Sequence, residues 1–274
     1  MRAIARDEIR MSTETTHPTP DRPLLRQSSV DFLDAEKGEA VRDMFAGIAR
    51  KYDALNHLIS FNRDKSWRRF TVELAKVQPS ESILDVCCGT GDLALEFRRK
   101  YGKDHEIQGT DFTPEMIEIA KSKADKLSAN IAYQVADTLR LPFKNRSFDV
   151  ISVGFGIRNV QNVREGIREM ARVLKPGGRI VILEFSKPQG FFFKRMYDLY
   201  MTRVLPHMGN LFSRSKEKAY SYLADSIALF PGPMQLAEMM EEEGLSDVYY
   251  RFRMFGTVAV HVGTKPLPTE SASK

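Results

Sequence analysis

The run Leu84-Asp85-Val86-Cys87-Cys88-Gly89-Thr90-Gly91-Asp92 hands a buried strand, Ser82 to Cys87, over to a helix, Gly91 to Tyr101. Glycines at 89 and 91 let the backbone turn sharply there and approach a ligand closely. Downstream the alternation repeats, with a strand over Glu106 to Asp111 and a helix over Pro114 to Leu127 that carries proline in its first turn. Strands over Ile131 to Val135 and Phe148 to Phe155 follow, then a helix over Val163 to Leu174 ended by Lys175-Pro176-Gly177-Gly178, then a strand over Arg179 to Phe185. Strands alternating with helices specify a parallel sheet covered on both faces. The last two strands, about Val248 to Met254 and Thr257 to Val262, meet through Phe255-Gly256, too short for a crossover helix, so they pair antiparallel. The expected fold is α/β and Rossmann-like, mainly parallel with a C-terminal antiparallel hairpin.

Upstream of the glycine turn, Val41, Met44, Phe45, Ile48, Tyr52 and Leu55 recur at three- and four-residue steps and make one apolar helix face. A second short helix is expected around Trp67 to Leu74. Residues 1–38 are Thr, Pro, Arg and Ser-rich without apolar periodicity and read as a flexible tail. Residues 39–265 then form one domain with an N-terminal helical cap, and 266–274 a second short tail. Near 187–222 the alternation breaks into an aromatic, basic and Met-bearing segment that reads as a substrate-covering insertion. Its start, Phe191 to Met201, suits a prenyl tail and anionic headgroups, or equally an ordinary cap helix.

The 274 residues carry a net charge of +5, a mild basic excess that does not choose among nucleic acid, membrane and charged cofactor. The only cysteines, Cys87 and Cys88, are adjacent, cannot staple distant segments and lack the second pair of a zinc site. No apolar run reaches the ~20 residues of a membrane span. Arg2, Arg6 and Arg10 are basic, but Asp7, Glu8, Glu14 and Asp21 spoil a transit-peptide pattern. A cytoplasmic protein is expected, with a peripheral place at the inner face of the membrane and a homodimer both left open.

Gly89-x-Gly91-x-x-Ala94 satisfies the dinucleotide fingerprint, so a nicotinamide dehydrogenase is a legitimate rival. Three neighbours argue against it. Asp111 ends the second strand, where a carboxylate accepts bonds from both ribose hydroxyls; Asp137 and Thr138 follow the third strand, suited to an adenine amino group. Asp85, just before the loop, suits a cofactor bearing an ammonium and a sulfonium, whereas a pyrophosphate would be repelled by Asp85 and Asp92. The constellation favours S-adenosylmethionine, and the closing hairpin points to the class I methyltransferase fold.

Longer stretches then resemble one family. They are Phe45-Ala46-Gly47-Ile48-Ala49-Arg50-Lys51-Tyr52-Asp53-Ala54-Leu55-Asn56 through Trp67-Arg68-Arg69, Gly154-Phe155-Gly156-Ile157-Arg158-Asn159-Val160, Leu183-Glu184-Phe185-Ser186 and Tyr222-Leu223-Ala224-Asp225-Ser226-Ile227. Over about Val41 to Lys265 the chain is similar to the quinone-biosynthesis C-methyltransferases, which methylate demethylmenaquinone or the benzoquinone precursor of ubiquinone. The resemblance implies a prenylated quinol substrate, and puts Thr90, Asp111 and Asp137-Thr138 at cofactor-binding positions beside Gly89 and Gly91. Two departures stand out: Gly154 precedes Phe155 where ubiquinone-pathway members often carry a serine close by, and Ser60 is followed by Phe61-Asn62-Arg63 rather than by the family's glycine.

Methyl transfer is an in-line displacement that asks for alignment of ring carbon and methyl group, and calls for no metal. Arg158 and Asn159 lie just beyond the fourth strand's carboxyl end, where open α/β sheets place substrates. Arg158 is expected to stabilise a developing phenolate or to orient a water that takes the proton, a guanidinium being too weak a base itself. The competing reading pairs Arg158 with a core carboxylate, Asp53 or Glu184. Asn159 is expected to position a ring oxygen, and Tyr52 to face the same cleft unless it is merely core. His261 is a further candidate base, or a satisfied strand histidine. A nucleic-acid methyltransferase would need an Asn/Asp-Pro-Pro-aromatic motif or a cysteine after the fourth strand; the chain has Gly154-Phe155-Gly156-Ile157 there, so nucleic acid is not expected as a partner.

Overall fold

The computed structural model describes residues 37–188 and 214–268, together with positions 190, 195, 199 and 203. The tail 1–36, the residues from 269 onward and most of the expected insertion, including nearly all of Phe191 to Met201, lie outside the described residues. The first described helix starts at Lys37, two residues inside the expected tail.

The elements run α1 (Lys37–Ile59), α2 (Asp64–Ala75), β1 (Ile83–Val86), α3 (Asp92–Tyr101), β2 (Ile107–Asp111), α4 (Pro114–Lys126), β3 (Ala132–Val135), β4 (Phe148–Gly154), α5 (Val163–Val173), β5 (Leu174–Phe185), α6 (Arg214–Leu229), α7 (Pro233–Glu242), β6 (Ser246–Arg253) and β7 (Val258–Thr264). Short 3-10 turns occupy Ile157–Asn159 and Met254–Gly256. The strands form one sheet in the order β3-β2-β1-β4-β5-β7-β6. β1 to β5 are parallel, and β7 runs antiparallel between β5 and β6, which is the expected Rossmann-like architecture.

Sequence explains most boundaries. β1 is apolar and buried at every position except for Asp85, which is buried too, as befits a central parallel strand. α4 starts with Pro114 at its first position, and α5 is capped by Asn162, whose side chain accepts the Glu165 N–H at 3.2 Å. Gly91 precedes α3 with φ +84°, and a Cβ there would meet the Tyr133 hydroxyl at 2.5 Å. Lys175-Pro176-Gly177-Gly178 does end α5, but at Val173, and the tetrapeptide itself belongs to β5. The register jumps from Phe148↔Leu174 to Val150↔Arg179, so the four residues are absorbed as a bulge instead of a separate turn.

The sheet carries apolar layers on both faces. One holds Val72, Leu93, Phe97, Ile117 and Ala120 from α2, α3 and α4; the other holds Ile167, Met170, Leu236 and Met240 from α5 and α7. Each such side chain fully removed from water contributes about 1.5–3 kcal/mol. α1 is held apart from both layers in a smaller cluster, where Ile48 and Leu55 pack with Phe45, Tyr52 and, from α6, Leu223 and Ala224. This cap spans the carboxyl ends of β1 and β4, the point where strand order reverses and open α/β sheets bind ligands.

Candidate functional site

At that reversal lies a cleft of about 770 Å³, part of it open to solvent. Its floor is the strand ends: Cys87 and Gly89 after β1, Asp111 to Thr113 after β2, Asp137 to Leu139 after β3, Gly154 to Gly156 after β4. Its roof is α1, through Val41, Phe45 and Tyr52, with Asn159, Val160 and Gln161 closing one side. The floor is tight: a Cβ on Gly156 would stand 2.3 Å from the Cys87 Cβ, so only glycine lets these two loops meet.

Asp111 organises the floor. Its Oδ2 accepts the Gly89 N–H at 2.8 Å and its Oδ1 the Thr113 N–H at 2.9 Å, while burial pushes its carboxyl above the usual range. Asp137 is exposed and its Oδ1 accepts the Leu139 N–H at 2.9 Å; the Thr138 hydroxyl lies 3.1 Å from the Cys87 sulfur. Burial pushes the Cys87 thiol up to about 12, which leaves it an unreactive wall rather than a nucleophile.

Of the expected cofactor residues, Gly89, Asp111, Asp137 and Thr138 line the cleft; Asp85, Thr90 and Gly91 do not. Asp85 is wholly buried beneath the loop, with Oδ1 accepting the Ser152 hydroxyl at 2.7 Å and Oδ2 without a partner among the described residues. Burial pushes its carboxyl up to about 7. Asp85 therefore ties β1 to β4, the strand on which Ser152 is its register partner. Thr90 points at the cap: its hydroxyl donates to Asp53 Oδ1 at 2.5 Å. Lys123 on α4 donates to Asp53 Oδ2 at 2.8 Å, to Thr90 Oγ1 at 3.3 Å and to Asp92. Arg68 on α2 reaches Asp92 at 3.4 Å and Asp64 at 2.5 Å. His57, Asp64 and Asp92 bring ligand-type atoms within 4.8 Å of one another, but these two cations already bind both carboxylates.

Of the residues expected to act on the acceptor, Tyr52 and Asn159 line the cleft. The Tyr222 hydroxyl of α6 donates to Asn159 Oδ1 at 3.0 Å. Arg158 does not line the cleft. It is 9% exposed, lies over the Phe185 ring, and donates through Nη1 to Glu184 at 2.7 Å and to the Phe155 carbonyl at 2.5 Å. The ion-pair reading of this arginine is thus the observed geometry, with Glu184 and not Asp53 as its partner. Its field still reaches the cleft, because it opposes the rise that burial imposes on the hydroxyls of Tyr52 and Tyr222. His261 is a strand histidine: its Nε2 meets the Pro233 carbonyl at 2.9 Å beneath α7, away from the cleft, and burial pushes it down to about 4.

Residues that the sequence reading passed over are Cys87, Phe112, Met116, Leu139 and Gln161. For Phe112 and Leu139 a signal existed, an apolar residue directly after a strand-end carboxylate or its hydroxyl partner. Both are apolar residues of the cleft wall.

The family model described as "ubiE/COQ5 methyltransferase family" matches residues 33–265. A relative from Geotalea daltonii named ubiquinone/menaquinone biosynthesis C-methyltransferase UbiE is 45% identical over 236 residues, covering 85% of this chain and 100% of its own length. A demethylmenaquinone methyltransferase of Bacillus cytotoxicus is 38% identical over 235 residues, covering 85% of this chain and 99% of its own. Among solved structures, an S-adenosylmethionine-dependent methyltransferase from Thermotoga maritima superposes with a TM-score of 0.59 at 18% identity over 82% of this chain and 99% of its own, a likeness of fold.

Proposed function

The chain belongs to the ubiE/COQ5 methyltransferase family, and from that membership we propose that it transfers the methyl group of S-adenosylmethionine to a ring carbon of a prenylated quinol. Demethylmenaquinol is the first acceptor, as in the name of the Bacillus relatives, and the corresponding benzoquinol the second, as in the name of the Geotalea relative.

The observation that carries the cofactor reading is the charge of the cleft wall, which among the described residues has two carboxylates, Asp111 and Asp137, and neither lysine nor arginine. A sulfonium and an ammonium are attracted to such a wall, and a pyrophosphate is repelled by it. Asp111, half-buried and drawn toward its neutral form, gains from two ribose hydroxyls donating to it. Phe112 and Leu139 fit the adenine faces, with Asp137 and Thr138 near the ring edge.

S-adenosylmethionine supplies an electrophilic methyl; the chain has to align the acceptor carbon with it and exclude water. Asn159 is suited to the first task. With its Oδ1 taken by Tyr222, its amide NH2 remains the donor to a ring oxygen. Tyr52 lies over the glycine turn, its ring 3.7 Å from where a Gly89 side chain would begin, so it closes the roof above the reacting groups. Arg158 acts through its field, which favours the phenolate when the ring hydroxyl gives its proton to water; once the carbon–methyl bond has formed and the methyl–sulfur bond has broken, the ring carbon's own proton leaves to water and the ring oxygen takes one back, restoring the aromatic ring.

Complementation of separate menaquinone- and ubiquinone-deficient strains, with lipid extracts weighed by mass spectrometry, tests the acceptor. Restoration of neither quinone overturns the acceptor reading. Calorimetric uptake of a nicotinamide dinucleotide in place of S-adenosylhomocysteine overturns the cofactor reading.

A further inference from the structure

A second cavity, of about 1210 Å³ and part of it open to solvent, reaches Asp92 and Arg68 from the side away from the cap. Its walls come from the end of α1, from α2 and α3, and from the turns that follow α3 and α4. Lys65, Arg68, Arg98, Arg99 and Lys103 line it, against two carboxylates, Asp92 and Glu96. That balance reverses the first cleft, whose wall among the described residues has two carboxylates and neither lysine nor arginine. A concave wall of one sign concentrates ions of the other.

Both carboxylates are already matched. Arg68 and Lys123 hold Asp92, and Arg99 donates to Glu96 through Nε at 2.9 Å and through Nη2 at 2.5 Å. Lys65 and Lys103 are exposed, and no carboxylate binds either among the described residues.

Arg98 is the sharper signal. It is 8% exposed and bonds only to carbonyls: Nη1 donates to Gly102 at 2.6 Å and Nη2 to Asn130 at 2.8 Å, while Nε has no partner among the described residues. Burial pulls its guanidinium below the usual value, and no carboxylate restores it. A cation withdrawn from water without an anion is costly. Its two bonds also prepare the cavity, since they occupy carbonyls that follow α3 and α4, helix ends that would otherwise repel an anion. The same bonds fix the turns that carry Lys103 and Ser128.

We propose that this cavity binds a small phosphate-bearing molecule, held by Lys65 and Lys103 in the field of Arg98, and that the bound phosphate competes with Asp92 for Arg68. Arg68 lies 2.5 Å from Asp64 but 3.4 Å from Asp92, so the second pair is the looser one, and a guanidinium takes phosphate readily. Asp92 released from Arg68 draws harder on Lys123, which it shares with Asp53 on α1, and occupancy thereby loosens the cap. A soluble molecule suits the cavity better than a lipid surface does. Leu127 is the one exposed large apolar side chain in its lining, and no helix among the described residues is long and apolar enough to cross a membrane. The inference goes beyond the choice of cofactor and acceptor, since it needs neither.

The test is calorimetric titration of the full chain with inorganic pyrophosphate, which the carboxylate wall of the first cleft repels, with and without S-adenosylhomocysteine. The wild type should take it up in both cases. Lys65→Gln with Lys103→Gln should weaken uptake by about fivefold for each charge removed, the Coulomb energy of an exposed pair near ~4 Å. Lys121→Gln with Lys144→Gln, which removes as much charge from exposed lysines outside the cavity, should leave uptake nearly unchanged. Unchanged melting would show that all four substitutions leave the fold intact. Amide exchange in 45–56 should rise when pyrophosphate saturates the protein. No uptake by the wild type, whether or not phosphatidylglycerol vesicles bind in its place, would overturn the proposal. So would equal weakening by the two pairs of substitutions, uptake abolished by S-adenosylhomocysteine, or saturation that leaves exchange in 45–56 unchanged.

Discussion

Replacing Arg158 by alanine tests its structural part, and removing its partner with it tests the proposed catalytic part. Glu184 is 1% exposed, its Oε2 has no partner among the described residues, and its Oε1 pairs with Arg158 at 2.7 Å. Removing one member of a buried pair leaves an uncompensated charge and costs about 3–5 kcal/mol, a large share of the ~5–15 kcal/mol that holds a domain together. The loss should depend on pH. Burial already raises the Glu184 carboxyl above its usual range, and Arg158 is the largest influence holding it down. Without the arginine the folded-state value climbs further, so the folded protein binds a proton that the unfolded chain has released. Stability of Arg158→Ala should therefore be greatest near the unfolded carboxyl value and fall as pH rises toward the new folded value. Urea melts at about pH 5.5 and pH 8 read this directly. Arg158→Met combined with Glu184→Leu removes both charges and should regain most of the loss. Single-turnover rates on that double variant then read the net field of the pair: a drop of about tenfold or less is expected, because what leaves is a buried dipole beside the cleft and not a lone cation touching the phenolate. Wild-type turnover in a stable double variant would refute the catalytic part, and an Arg158→Ala variant as stable at pH 8 as the double would refute the buried-pair argument.

Asp111→Ala should weaken S-adenosylhomocysteine binding by about 1.5–3 kcal/mol, the range for hydrogen bonds to a charged group, read by calorimetry; an unchanged affinity would remove Asp111 from the cofactor's ribose. Lys123→Met leaves Asp53 and Asp92 without their shared cation and should loosen the cap, so amide exchange in 45–56 should rise while Lys123→Arg restores protection; uniform exchange across the variants would mean the clamp does not hold α1. His261 is pushed down to about 4, so the folded protein holds it neutral while the unfolded chain protonates near 6.5. Stability from this residue is present above pH 6.5 and is lost, by up to about 3 kcal/mol, as pH falls toward 4. His261→Gln should flatten that acid limb in thermal melts and leave turnover intact; lost turnover would revive the base reading.

Where backbone pattern decides structure, the sequence was legible. Alternating strands and helices with a glycine turn after β1 announced the parallel sheet and its antiparallel end, as expected, while the strand order and its reversal point came only with the structure. Lys175-Pro176-Gly177-Gly178 reads as a break because proline and glycine usually punctuate, yet long-range pairing with β4 carries it as a bulged strand. α7 was missed although Gly232-Pro233 is a start signal and Leu236 and Met240 supply the period. Site residues divided by a different rule. Those at strand ends, Asp111, Asp137 and Thr138, reached the cleft because topology alone puts them there. Whether a side chain on a turn faces ligand or neighbour depends on contacts distant in sequence, and so Arg158 turned to Glu184, 26 residues on, and Thr90 to Asp53, 37 residues back.

That division has a physical consequence for how the site assembles. The nine-residue run from Leu84 to Asp92 supplies a wall residue, Gly89, and also the two groups, Thr90 and Asp92, that grip the cap through Asp53, Lys123 and Arg68. The cap residue next to Asp53 is Tyr52, which covers Gly89. A shift of the glycine turn therefore moves the Thr90 hydroxyl that donates to Asp53 and the Asp92 carboxylate that shares its lysine, and the cap cannot swing away without leaving Asp53 unpaired and the half-buried Lys123 with Asp92 alone. Partly buried charges held by several partners resist such separation far more than exposed pairs do. The glycine turn and the helix that roofs the cleft are one mechanical unit, so in the proposed site floor and roof settle together.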